Sequence, residues 1–298
     1  MRPLRCGGTH AVEAVAAALV AAVQVHPLLF TVMNRRWELD ALRGLMLVLM
    51  TLTHLPTRFS DPAGQPFGWV SAAEGFVFLS AFMVGAIYSD VALKRGVAAM
   101  WVAFQSRALT VYVCQAALLV FLFTAIAALG IRVDQPAVKD LMAFYFDAPS
   151  VALPAALILL YNPPLLDILP MYVLFMLASP WVMLHGLRRG WRGLMIGSTA
   201  LWLAAQFGLW AAAYGWVADH TGLKVPFNQT GSFDLAAWQF LWMFGLTLGA
   251  GGMQSVPNAA RPFPRWWVRT ALGVALIAVV WRHWRGQTPF EHWQHLNV

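Results

Sequence analysis

The sequence predicts an all-α, polytopic transmembrane helical bundle, and three observations predict it. Apolar residues fill 60% of the 298 positions and charged residues only 11%, against roughly 25% charged in a soluble domain. Apolar runs of membrane-spanning length recur along the chain, and a continuous apolar run of that kind is read as a helix across lipid. The basic residues sit in short segments between those runs, gathered mainly on one side, which is the pattern that orients a membrane protein. The mean hydropathy of +0.63 agrees. The net charge of +7 would suggest nucleic acid in a soluble chain; here it reads as orientation. Fifteen Trp and nineteen Phe suit interfacial belts. Two cysteines, Cys6 and Cys114, make no disulfide framework, and Cys114, inside an apolar run, reads as a small buried hydrophobe.

Residues 1–33 read as an N-terminal hydrophobic extension. HAVEAVAAALVAAVQVHPLLFTV is apolar enough for an extra helix or a signal anchor but lacks a clear cleavage site. Met33 then opens MNRRWELDALRG, which has the look of a start, so the extension is either an extra span or an upstream translation. Seven spans follow, at 37–57, 70–90, 107–130, 167–187, 193–213, 235–252 and 268–284, within a domain of 34–285. With Arg35 inside, cytoplasmic segments and helix ends collect Arg35, Arg36, Arg43, Lys94, Arg95, Arg107, Arg188, Arg189, Arg192, Arg261, Arg265 and Arg269. The other side holds Arg58, Arg132, Lys139 and Lys224. The hairpin 58–69 and the loops around 131–166 and 214–234 then face the exterior. DAPSVALPAALILLYNPP, in the first of those loops, reads as a re-entrant or interfacial helix broken by Pro154 and Pro163/Pro164. The polar tail 286–298 is short; Arg282 and Arg285 fall outside, against the rule, and the chain reads as ending there or as truncated at the C-terminus.

The first two spans, WELDALRGLMLVLMTLTHLP and AAEGFVFLSAFMVG, carry ionisable groups that lipid should exclude. Arg43 and His54 are eleven residues apart, within about 20° of one helix face and roughly 16 Å along its axis. The second span runs back, which predicts His54 and Glu74 at similar depth. His54 reads either as a helix-end histidine bonded to a backbone carbonyl or as a general base, oriented by Glu74. Arg43 either snorkels or meets an anionic ligand, and Glu38 and Asp40 pair with it or with Arg36. Lys94, Arg95 and Arg107 are orienting charges or phosphate ligands. Asp167, in LLDILPMY, is an N-cap or touches a polar substrate, with Tyr172 following inside the span. Gln239, in AAWQFLWMFG, is interhelical glue or a substrate contact. Asp219 and His220, in an exterior loop, read as a solvated pair or as touching a polar substrate. There is no HExxH, CxxC, Walker loop or GxSxG, so no metal site is expected and no soluble-type serine hydrolase is supported.

These segments resemble the OpgC family of osmoregulated periplasmic glucan succinyltransferases, within the wider membrane acyltransferase type-3 superfamily. The superfamily pattern of Arg, ten residues, His is matched by Arg43 and His54. Its acidic, Phe-rich stretch is matched by Glu74, Phe76, Phe78, Ser80 and Phe82, with Ala81 where the family has glycine. LLDILPMYVLFMLASP and AAWQFLWMFGLTLG resemble later signatures, so the likeness covers roughly residues 34–252. The resemblance implies O-acyl transfer across a bacterial inner membrane. Acyl-CoA, succinyl-CoA for the named members, would be a donor substrate rather than a resident cofactor, and the acceptor an extracytoplasmic glucan. It implies His54 as base with Glu74 orienting it, Arg43, Arg107 and Ser80 at the donor, and Asp167, Tyr172 and Gln239 at the acceptor. Two rivals stand beside it: a proton-coupled transporter, which uses the same residue types, and an inactive truncated relative, suggested by Ala81 and by seven spans where the family has about ten.

Overall fold

The computed structural model describes residues 37–55, 57, 58, 60, 63, 70–133, 136–255 and 265–285. The N-terminal extension, most of the hairpin 58–69 and the tail 286–298 lie outside the described residues. Every regular element among the described residues is helical. They are α1 (Trp37–Thr53), α2 (Ala72–Arg95), α3 (Val97–Phe121), a π-turn at Leu122–Ile126, α4 (Ala127–Val133), α5 (Pro136–Leu141), α6 (Ala143–Asp147), α7 (Pro149–Leu157), α8 (Ile168–Arg189), α9 (Arg192–Gln206), α10 (Leu209–Thr221), a 3-10 turn at Phe227–Gln229, α11 (Leu235–Ser255) and α12 (Arg265–Arg285).

Three stretches are long and apolar enough to cross a membrane: Ala72–Arg95, the continuous Val97–Val133, and Ile168–Arg189. Arg192–Gln206 and Leu209–Thr221 qualify only as a pair, bent by 77°. The expected span 193–213 is therefore broken, at Phe207 and Gly208, and the count of seven is not reached among the described residues. The reason is length. The 17 residues of α1 rise about 26 Å, short of a hydrocarbon core of about 30 Å. The apolar parts of the last two helices, Leu235–Gly251 and Arg269–Trp281, are shorter still or comparable. The third expected span, 107–130, instead starts at Val97 and runs 37 residues, about 55 Å of helix. Arg107 thus lies ten residues inside it.

The chain divides into two compact units. In the described part of the first, residues 97–181 and 210–235, the core gathers Leu119, Leu122, Phe123, Met142, Ala152, Ala155, Ala156, Tyr161 and Val225. The expected re-entrant segment, 147–164, holds the short helix α7, and with the short α5 and α6 before it packs on that core, where Phe123 is stacked on Tyr145 at 4.2 Å between centroids. Prolines and short apolar stretches keep each helix to one or two turns. Cys114 corrects an expectation: it is exposed. Its neighbour Gln115, 100° further round α3, is the one turned inward, 1% exposed.

The second unit holds residues 37–96, 182–209 and 236–285 of the described chain. Its centre is the contact of α2 with α11, backbone against backbone. A Cβ on Gly85 would strike Leu246 O, and one on Gly249 would strike Phe82 O. A Cβ on Gly245 would lie 2.7 Å from Phe78 O and 2.9 Å from the Cβ of Ala81. Gly245 and Gly249 form a GxxxG pair, the spacing that lets helices touch in lipid. Ala81, 0% exposed, fits because the facing residue is Gly245.

Candidate functional site

The polar residues of the second unit meet on α1 and α2. Met46 packs where Gly75 leaves room, its Sδ 2.9 Å from where a Gly75 Cβ would stand. Arg43, one turn earlier on α1, reaches further along α2. Its guanidinium lies 5.4 Å from the Phe76 ring centre, and Nη1 is 3.6 Å from Met83 Sδ. These are weak partners for a cation: a ring face and a thioether. Its Nε is buried without an acceptor, and among the described residues no carboxylate neutralises it. The expected pairing with Glu38 or Asp40 is not seen at Arg43.

Ser80 stands four residues after Phe76 and three before Met83, on the face of α2 that Arg43 crosses. It is 1% exposed, and its hydroxyl has no partner. Other helix hydroxyls here donate back to their own helix, as Ser89 does to Ala86 O and Ser179 to Phe175 O. A buried arginine nitrogen on α1 and a buried hydroxyl on α2 are thus both unmatched. Left unmatched such groups are costly. An anion or a carbonyl oxygen would satisfy either one.

His54 and Glu74 are not brought together by this packing. α1 ends at Thr53, and His54 follows in an exposed turn, its N–H donating to Thr51 O at 3.2 Å. Met46, not His54, is level with Gly75, so His54 lies eight residues beyond it, about 12 Å by helix rise. The expected match of depth fails because eighteen residues separate α1 from α2. A connection that long sets no register; the fit of Met46 against Gly75 does. Glu74 has a local task instead. Its carboxylate accepts the N–H of Ser71, and its own N–H donates to Ser71 Oγ at 3.5 Å, a capping box that starts α2. The Ser-Ala-Ala-Glu spacing announced this in the sequence.

The remaining candidates are scattered. Lys94 forms an ion pair at 2.8 Å with the buried Asp90 one turn before it, a partner the sequence reading passed over. Arg107 is half-buried on α3, in the first unit. Gln239 is clasped to Ser198: its Oε1 accepts from Ser198 Oγ at 2.7 Å and its Nε2 donates to Ser198 O at 2.8 Å. Of its two readings, glue between α9 and α11 is the one its contacts express. Asp219 and His220 are exposed at the end of α10, His220 Nδ1 lying 2.7 Å from Trp216 O.

Asp167 precedes α8 in the first unit, and its Oδ2 accepts the N–H of Ser232 at 2.8 Å, across to the 227–235 segment. It borders an open cleft of about 470 Å³, solvent included, with Asn162, Met171, Trp210, Tyr214 and Phe233 among its walls. Tyr172 is buried next to the cleft but does not line it. Asn162 and the unpartnered amide of Gln115 escaped the sequence reading. A lone glutamine inside VYVCQAALLV was the available signal for the second; nothing in YNPP marked the first.

Among the described residues no group of His, Cys, Asp and Glu is arranged to hold a metal. A family model described as OpgC protein matches residues 35–297. No curated protein and no solved structure matches the chain.

Proposed function

Because the chain belongs to the OpgC protein family, we propose that it is an integral inner-membrane O-acyltransferase that moves an acyl group, succinyl in this reading, from cytoplasmic acyl-CoA to a hydroxyl of an extracytoplasmic glucan. Family membership carries transferase activity on a glycan in general; donor, acyl group and direction are the proposal. The observation that carries it is a pair of buried groups left unmatched on the first two helices, Arg43 Nε and Ser80 Oγ. An arginine whose Nε lacks an acceptor suits the phosphate oxygens of a thioester donor, and a buried free hydroxyl suits an oxygen of its arm.

In this reading the donor enters at the Arg35–Arg36 end of α1. Arg43 holds its anionic portion. Ser80 donates to an amide oxygen of the donor's extended arm, short of the acyl carbonyl, which lies at His54. The extended arm of the donor follows α1 for the roughly 16 Å of helix rise between Arg43 and His54. At the far end the exposed His54 takes the proton of the acceptor hydroxyl on a ring nitrogen as the hydroxyl oxygen attacks the thioester carbon. The thiolate of CoA leaves, and the ester forms on the sugar. Glu74 fixes the start of α2 through its cap, and that sets where Ser80 lies on the helix.

Membranes holding the protein, given labelled succinyl-CoA and a gluco-oligosaccharide, test this. Label should pass covalently to the sugar, and His54→Ala should abolish transfer while the protein stays in the membrane. Unmodified solute crossing sealed vesicles with no ester formed would instead establish the transporter reading.

A further inference from the structure

We infer that the cleft at the head of α8 is a binding subsite for a sugar ring, the place where the acceptor glycan is held. The inference takes its choice of a sugar partly from the acyl-transfer reading above, but the site is argued from its own walls. Trp210, Tyr214 and Phe233 give it aromatic sides, while Asp167 and Asn162 give it acceptors. A pyranose presents axial C–H bonds from its faces and hydroxyls from its rim. The negative faces of aromatic rings suit the first, and carboxylate and amide oxygens suit the second.

Asn162 is the observation that points to a ligand. It is 9% exposed. Its Nδ2 donates to Thr230 O at 2.5 Å and lies 3.4 Å from Leu159 O, which fixes the amide the right way round. Its Oδ1 is then left buried with no donor. Buried side-chain acceptors are seldom left so, and a sugar hydroxyl would fill the vacancy. Asp167 uses one oxygen on Ser232 N–H and keeps further lone pairs for hydroxyls.

The cleft is also built to hold its shape. Asn162 N–H donates to Gln229 O at 3.0 Å. Gly231, at φ +105°, sits where a Cβ would come within 3.1 Å of the Cβ atoms of both Asn162 and Asp167. Only a glycine lets the 227–235 segment lie so close and so turned. α8 then carries Asp167 just before its first residue and Arg188 and Arg189 at its end, a rise of about 31 Å. That is one hydrocarbon thickness, so the arginines, if inside, leave the cleft on the outer surface with an extracytoplasmic glycan.

The test uses the full chain in nanodiscs, without acyl donor, and a glucose trisaccharide labelled at its reducing end, read by fluorescence anisotropy. The protein should bind it saturably. Asp167→Asn, which keeps an acceptor for Ser232, and Trp210→Ala should each raise Kd at least tenfold. Trp216→Ala, exposed on the same helix, should leave Kd unchanged. Because a variant can fail to fold, the wild-type protein is also photolabelled with a diazirine form of the trisaccharide, and the label should fall in peptides from 159–174 and 210–235. No binding, equal Kd in all proteins, or label confined to other peptides overturns the inference. Transfer to the trisaccharide with label elsewhere removes the cleft and leaves the enzyme; binding here with no transfer under any acyl donor does the reverse.

Discussion

Arg43 is the residue on which the donor reading turns, because its surroundings give it shape but no charge. Phe76 and Met83 would pack as well against a neutral side chain of similar length. Arg43→Met should therefore leave the melting temperature nearly unchanged and lower transfer at least tenfold, chiefly through KM for the acyl-CoA. A loss of folded protein with unchanged KM would show that the guanidinium is structural. Glu74→Gln separates two roles of one side chain. Glutamine serves at the third position of a capping box as glutamate does, so α2 should start as before. Retained transfer in Glu74→Gln would fix Glu74 as a cap alone, and lost transfer at full stability would give the carboxylate a chemical task. Ser198 and Gln239 are a matter of stability. A double-mutant cycle of Ser198→Ala and Gln239→Leu should return a coupling of about 0.6–1.7 kcal/mol, the range for interhelical hydrogen bonds in lipid.

At the scale of elements, the contact between α2 and α11 fixes where Ser80 lies. The two backbones touch along Gly85, Gly245 and Gly249, leaving no room for a side chain. Gly249→Ala should push α11 off α2, costing about 1–3 kcal/mol as overpacking does, measured by thermal unfolding in detergent. A neutral result would mean that the helices separate easily and that Ser80 is not held in place from behind. The register of α1 on α2 is equally a packing result. The residues 54–71 between them are too many to dictate it, and the match of Met46 to Gly75 places His54 beyond the start of α2. Hydropathy located α2 and α8 to within a few residues. It misplaced the start of α3 by ten residues, since the VAAMWVAFQS stretch is apolar enough to be helix but carries no cap or break to mark a boundary.

For the whole chain, the prediction concerns sides of the membrane. α2 ends in Lys94 and Arg95, α8 ends in Arg188 and Arg189, and α9 opens on Arg192. In a background without Cys6 and Cys114, a cysteine at Arg189 should react with an impermeant maleimide only in inverted vesicles. One at Ser232, exposed beside the cleft, should react in intact cells. Labelling of both from one side would refute the alternating topology and the two-sided reaction with it. That the chain is a helical membrane protein with an orienting charge asymmetry was determined by the sequence alone, because hydropathy and charge act through composition and need no partner. The tertiary structure decided which groups meet: it set Arg43 against Phe76 and Met83, parted His54 from Glu74, tied Gln239 to Ser198, and brought Asn162 and Asp167 against Gly231. Those outcomes depend on how side chains fit between helices distant in sequence, and one residue's pattern along its own helix carries no record of the surface it will meet.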